Sequence, residues 1–151
     1  MNSFGSKIEL LTSVISYVEM FNPESELLAN ELKNTPHALI IDDETDICFL
    51  LKGILRHKNI DAAYASTLAE GRQYLRQHDA DIIFIDNHLP DGYGVEQVRN
   101  LKKQNPFCKI VMITAHDTST DRELAYREGV DYFIGKPFTR EVIFKTVEKL
   151  I

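Results

Sequence analysis

From His37 onward the sequence alternates five short apolar runs with five stretches of helical periodicity, an order that few folds accept. The runs fall at residues 38–41, 60–64, 82–85, 109–113 and 132–134. Between them, Ile47, Leu50, Leu51, Ile54 and Leu55 recur at i, i+3 and i+4, Leu68, Arg72 and Leu75 space a second helix, and Val95, Val98 and Leu101 a third. A polar fourth helix spans about 117–128 and ends at Gly129; Val142, Ile143, Val147 and Leu150 mark the fifth. Strands that read as continuous apolar runs are buried on both faces, so the pattern predicts an α/β fold with a doubly wound, five-stranded parallel sheet.

Composition narrows what such a domain does. The 151 residues suffice for one α/β domain with an appendage. With 17 Lys and Arg against 23 Asp and Glu, net charge -6, no basic footprint for direct nucleic-acid binding exists. No apolar run reaches the ~20 residues of a membrane span, and no signal peptide opens the chain. A cytoplasmic protein is expected. Cys48 and Cys108 lack CxxC spacing or histidine companions and read as reduced core residues.

Residues 1–36 form a separate helical extension. Ser6-Lys7-Ile8-Glu9 has the form of a capping box, and Ile8, Leu11, Val14, Ile15, Val18 and Phe21 follow at helical spacing, predicting a helix from about Ser6 to Phe21. Asn22-Pro23-Glu24 reads as cap, first residue and acidic first turn of a second helix through Leu27, Leu28 and Leu32. Leu10, Tyr17 and Met20 widen the first helix's apolar face beyond what a solvated helix needs. Two arrangements satisfy this: a hairpin folded on its own domain, or a homodimer or partner-docking element. The chain stops as the fifth helix ends, so no C-terminal output domain is expected.

In an open parallel sheet, ligands bind beyond the carboxyl ends of the strands. Those ends carry Asp42 and Asp43, Asp86, Thr114 and Lys136. Each has an ordinary explanation singly, as a cap, a turn or a surface charge. Together they bring three carboxylates, a hydroxyl and an ammonium to one crevice. Crowded carboxylates call for a proton or a cation, and an oxygen-only set with open positions suits Mg2+ completed by a phosphate. A carboxylate nucleophile, a metal and a lysine are what phosphoryl transfer requires, with Asp86 as nucleophile.

On the motifs ALIIDDE, FIDNHLPDGYG, IVMITA and DYFIGKPF, residues 37–151 resemble a response-regulator receiver domain of bacterial two-component signalling, in the CheY-like superfamily. The resemblance implies a flavodoxin-like sheet of order 2-1-3-4-5 and a phosphorelay switch. It implies Asp86 as phosphoacceptor, Asp43, Asp86 and the His88 backbone carbonyl as Mg2+ ligands, and Asp42 acting through a water. Thr114 and Phe133 match the switch pair, Lys136 the phosphoryl contact, and the Lys136-Pro137 bond is expected to be cis. His88 and His116 stand two residues past Asp86 and Thr114, where side chains tune hydrolysis of the acyl phosphate. The implied partners are a sensor histidine kinase or histidine phosphotransfer protein and a downstream protein, met on the last two helices and the strand between them. A haloacid-dehalogenase-type phosphatase would need a second aspartate where His88 stands. A receiver-like binding module that is never phosphorylated would usually lack one of the acidic, threonine or lysine positions, and all are present.

Overall fold

The computed structural model describes residues 3–20 and 23–151; Met1, Asn2, Phe21 and Asn22 lie outside the described residues, and with them the predicted end of the first helix and cap of the second. The chain divides into two compact units, Met1–Thr35 and Pro36–Ile151.

The larger unit holds a five-stranded sheet. Its strands are β1 (His37–Ile41), β2 (Asp61–Ala65), β3 (Ile82–Ile85), β4 (Lys109–Thr114) and β5 (Tyr132–Gly135). They are parallel and ordered β2-β1-β3-β4-β5, the flavodoxin-like arrangement. The second strand runs one residue later than the predicted 60–64, because Ile60 closes the preceding turn by donating its N–H to Leu55 O.

Period-two alternation feeds two cores from each central strand. Ala38, Ile40, Ile82, Phe84, Val111 and Ile113 face one layer, built with α3 (Thr45–Arg56) and α7 (Arg140–Leu150). Leu39, Ile41, Ile83, Ile85, Ile110 and Met112 face the other, built with α4 (Leu68–Gln77), α5 (Val98–Gln104) and α6 (Ser119–Glu128). This two-sided burial explains why these strands read as unbroken apolar runs. Cys48 and Cys108 are buried free thiols.

Threonines set three helix starts: Thr67, Thr118 and Thr139 accept from the backbone N–H of Glu70, Asp121 and Val142. The capped Thr118 starts α6 two residues later than expected. Of its two apolar residues Leu124 and Ala125, Ala125 is buried and Leu124 is partly exposed. The helix predicted around Val95 begins as a 3-10 turn, Gly94–Gln97, before α5.

The smaller unit comprises α1 (Ser3–Glu19) and α2 (Pro23–Lys33). Ser6 lies inside α1 rather than at its start, so the predicted capping box is not the helix terminus; Ser3, Phe4 and Gly5 already continue the helix.

Candidate functional site

Three backbone hydrogen bonds place the chemistry. Asp42 N–H donates to Ala65 O at 3.0 Å, Asp86 N–H to Ile41 O at 2.9 Å, and Lys136 N–H to Thr114 O at 2.9 Å. Each residue thus sits one step beyond its strand, tied to the neighbouring strand's end, which is how the sheet register brings remote side chains together.

Lys136 Nζ donates to Asp42 Oδ2 at 2.7 Å, to Glu44 Oε1 at 2.8 Å and to Asp86 Oδ2 at 3.3 Å. The side chains of Asp42, Asp86 and Lys136 are buried, whereas that of Glu44 is 58% exposed. Burial works to lower the Lys136 pKa, but the hydrogen bonds the ammonium donates to Asp42 and Glu44 and the charge of Asp86 outweigh it and hold it charged beyond the ordinary lysine range. Burial pushes the Asp42 carboxyl above its usual value, against the bonds from Lys136 and Glu44 N–H, and the nearby Asp86 adds to the rise. One ammonium shared among three carboxylates leaves the pocket short of positive charge.

Asp43 projects into solvent beside them. Among the described residues, Asp42, Asp43 and Asp86 each present a carboxylate oxygen within 4.8 Å of the others, a spacing one cation can span. An oxygen-only set of this kind fits a hard divalent ion such as Mg2+.

The loop after β3 is built to hold Asp86. Asn87 Oδ1 accepts from Val95 N–H at 3.0 Å, and its carbonyl accepts from Gly94 N–H at 2.8 Å. A Cβ at Gly94 would lie 2.2 Å from Asp86 O, so only glycine allows the chain to pass there. Asp91 accepts from both Leu68 and Ala69 N–H at 2.9 Å, fastening the loop to the start of α4; those two bonds lower its pKa.

Thr114 is buried and its Oγ1 accepts from His116 N–H at 3.4 Å. The Phe133 ring is also buried, with the Arg122 guanidinium 5.0 Å above its centroid. Arg122 is paired through two hydrogen bonds with Asp117, and Phe133 N–H donates to Tyr126 Oη at 3.1 Å. Thus α6 holds the β5 aromatic from two positions. The Lys136-Pro137 bond is cis.

The structure therefore gathers Asp42, Asp43, Asp86 and Lys136 directly, with Thr114 and Phe133 on the adjoining strands. His88 and His116, which read singly as loop residues, meet: their rings lie 4.1 Å apart, and Tyr93 edges onto His88 at 5.4 Å. Sequence reasoning missed Glu44, whose only signal was its position beside two aspartates, and the Asp117–Arg122 pair, which carried none.

The sequence profile of the response regulator receiver domain matches residues 38–148. The chain belongs to this family. The receiver is 34% identical over 100 residues to the response regulator protein PilR of Pseudomonas aeruginosa, covering 66% of this chain and 22% of the relative. It is 33% identical over 104 residues to the aerobic respiration control protein ArcA of Escherichia coli K12, covering 69% and 43%. The chain thus spans less than half the length of either relative. Among solved structures, a two-component response regulator from Clostridium difficile superposes with a TM-score of 0.73 at 28% identity, covering 76% of this chain and 94% of that one. The beryllofluoride-activated NtrC4 receiver domain dimer gives 0.72 at 28%, with the same coverage. Among the described residues, no helix is long and apolar enough to cross a membrane.

Proposed function

We propose that this receiver is a cytoplasmic switch that accepts a phosphoryl group on Asp86 from a phosphohistidine of a sensor kinase or phosphotransfer protein. The observation that carries this reading is the Lys136 ammonium held between Asp42 and Asp86, with Asp43 close enough to share a cation. An Asp86 carboxylate oxygen forms a bond to phosphorus as the donor's phosphorus–nitrogen bond breaks and its electron pair leaves with the imidazole. Water later returns the carboxylate and inorganic phosphate.

Asp43, Asp86 and the His88 carbonyl would hold Mg2+, with Asp42 acting through a water; when bound, the ion supplies charge neutralisation for the phosphoryl oxygens. Lys136 is the fixed cation on the opposite side, already desolvated and charged. His88 and His116, in contact at the mouth, control access of water to the acyl phosphate. The Thr114 hydroxyl donates to the phosphoryl group and favours the buried position of Phe133. The signal then reaches the α6–β5–α7 surface, where an open cleft of about 360 Å³ is lined by Asp117, Arg122, Phe133, Phe138 and Val142. A downstream protein reads that surface.

Intact-mass measurement after incubation with Mg2+ and a small acyl-phosphate donor tests the assignment. One added phosphoryl group is expected on the parent and none on Asp86→Asn; no addition to the parent, or equal addition to both, rejects it.

A further inference from the structure

The N-terminal hairpin carries more apolar surface than two helices can bury between themselves. On α1, Ile8, Leu10, Leu11 and Val14 are 50–66% exposed, and Met20, just past its end, is 77% exposed; on α2, Leu27 and Leu28 are 68% and 57% exposed. At 100° per residue, Ile8, Leu11 and Ile15 make one stripe of α1, and Leu10, Val14 and Tyr17, at i, i+4 and i+7, make a second beside it. Together they span roughly half the helix circumference, more than one neighbouring helix covers. Among the described residues of this unit, only Ala29 is buried.

We infer that this surface is covered by α1 of a second copy of the same chain, the two hairpins forming a four-helix bundle about a two-fold axis. Three observations favour a second copy. The first is the lack of a core: among the described residues of the hairpin Ala29 alone is buried, too little to hold two helices together without a further packing partner, and both cysteines lie outside it. The second is area. Full burial of such side chains removes about 100 Å² each, so Ile8, Leu10, Leu11, Val14, Tyr17 and Met20 leave roughly 370 Å² of apolar surface per protomer on the α1 side. Homodimer interfaces are about 65% apolar, which brings the whole interface to roughly 1,150 Å², at the lower edge of the standard size for a stable complex.

The third is charge. Within α1 the only ionisable side chains besides Tyr17 are Lys7, Glu9 and Glu19, so this helix presents no like-charge barrier to itself along the Leu10–Val14–Tyr17 stripe. α2 carries Glu24, Glu26 and Glu31 against a single lysine, Lys33, so its net negative charge would repel its own copy, placing it outside the α1–α1 contact. A two-fold α1–α1 contact is isologous and closes on itself, giving a dimer rather than a chain of copies. The inference is independent of phosphoryl transfer, since none of these residues belongs to the Asp86 site.

Sedimentation equilibrium of the full chain tests it. Twice the chain mass is expected, both with and without Mg2+ and beryllofluoride, and in Asp86→Asn. A chain carrying Leu10→Glu with Val14→Glu should dissociate at least roughly a hundredfold more readily. So should one carrying Leu10→Lys with Val14→Lys, and mixing the two should restore the double mass through opposite charges. A monomeric parent, a glutamate variant that still dimerises, or a mixture that stays monomeric overturns the α1 seam. A parent that dimerises only with beryllofluoride overturns it too, placing association on the receiver surface.

Discussion

Lys136 Nζ lies 2.7 Å from Asp42 Oδ2 but 3.3 Å from Asp86 Oδ2, so the ammonium is bonded more closely to Asp42 than to Asp86, the proposed phosphoacceptor. Replacement by Lys136→Met strands two buried carboxylates without a partner. Stability should fall by roughly 3 kcal/mol, read as a lower urea midpoint, and phosphoryl addition by mass spectrometry should slow by about tenfold or more.

Glu44 takes a second hydrogen bond from the same ammonium but from an exposed position. Removing its charge by Glu44→Gln should change stability by less than about 0.5 kcal/mol, since exposed ion pairs contribute little. The freed ammonium should shift toward Asp86, and labelling by an acyl phosphate should accelerate about two- to fivefold. A time course of intact mass measures this.

Asp43 is the exposed member of the carboxylate triad. Asp43→Ala should leave the metal-free protein as stable as the parent, or slightly more so, because one like charge is relieved. The rise in melting temperature on adding Mg2+ should disappear with it. Calorimetric titration should show Mg2+ binding in the parent and a loss of affinity in the variant.

Gly94→Ala tests the loop after β3. The added methyl would lie 2.2 Å from Asp86 O, against backbone that cannot yield without moving Asp86. Denaturant unfolding should show a loss of about 2–3 kcal/mol, accompanied by slower phosphorylation.

Alkaline pH should destabilise the fold through its buried thiols. Burial pushes Cys48 from 9.0 to about 11 and Cys108 from 9.0 to about 12. Between pH 9 and 11 the unfolded chain has lost thiol protons that the folded chain keeps, so stability falls as pH rises. Cys48 alone contributes roughly 2–3 kcal/mol across its window. Lys136, also raised, adds a loss of the same sign above its ordinary value of 10.5. Urea melts of the parent and of Cys48→Ala across this range separate the two: the variant should show the shallower decline.

Much of the fold was legible because local pattern and tertiary role coincide. Ile82, Ile83, Phe84 and Ile85 read as a strand buried on both faces, and they are, because each alternate residue enters a different core. The helix starts were less legible: Ser6 has the form of a cap but lies within α1, while three threonines do the capping in the larger unit. Short-range capping patterns recur inside helices, and only the actual path of the chain selects among them.

The sequence by itself determined which residues end each strand, and therefore that Asp42, Asp86, Thr114 and Lys136 point toward one edge of a parallel sheet. Only the tertiary structure decided how they meet. Glu44 joins the Lys136 network, His88 touches His116, and the Asp117–Arg122 pair covers Phe133. The reason lies in the range of the forces involved. Strand ends follow from hydrophobic alternation, which is written locally. Hydrogen bonds and ring contacts between side chains as far as 94 positions apart depend on ångström-scale placement that only the packed sheet supplies.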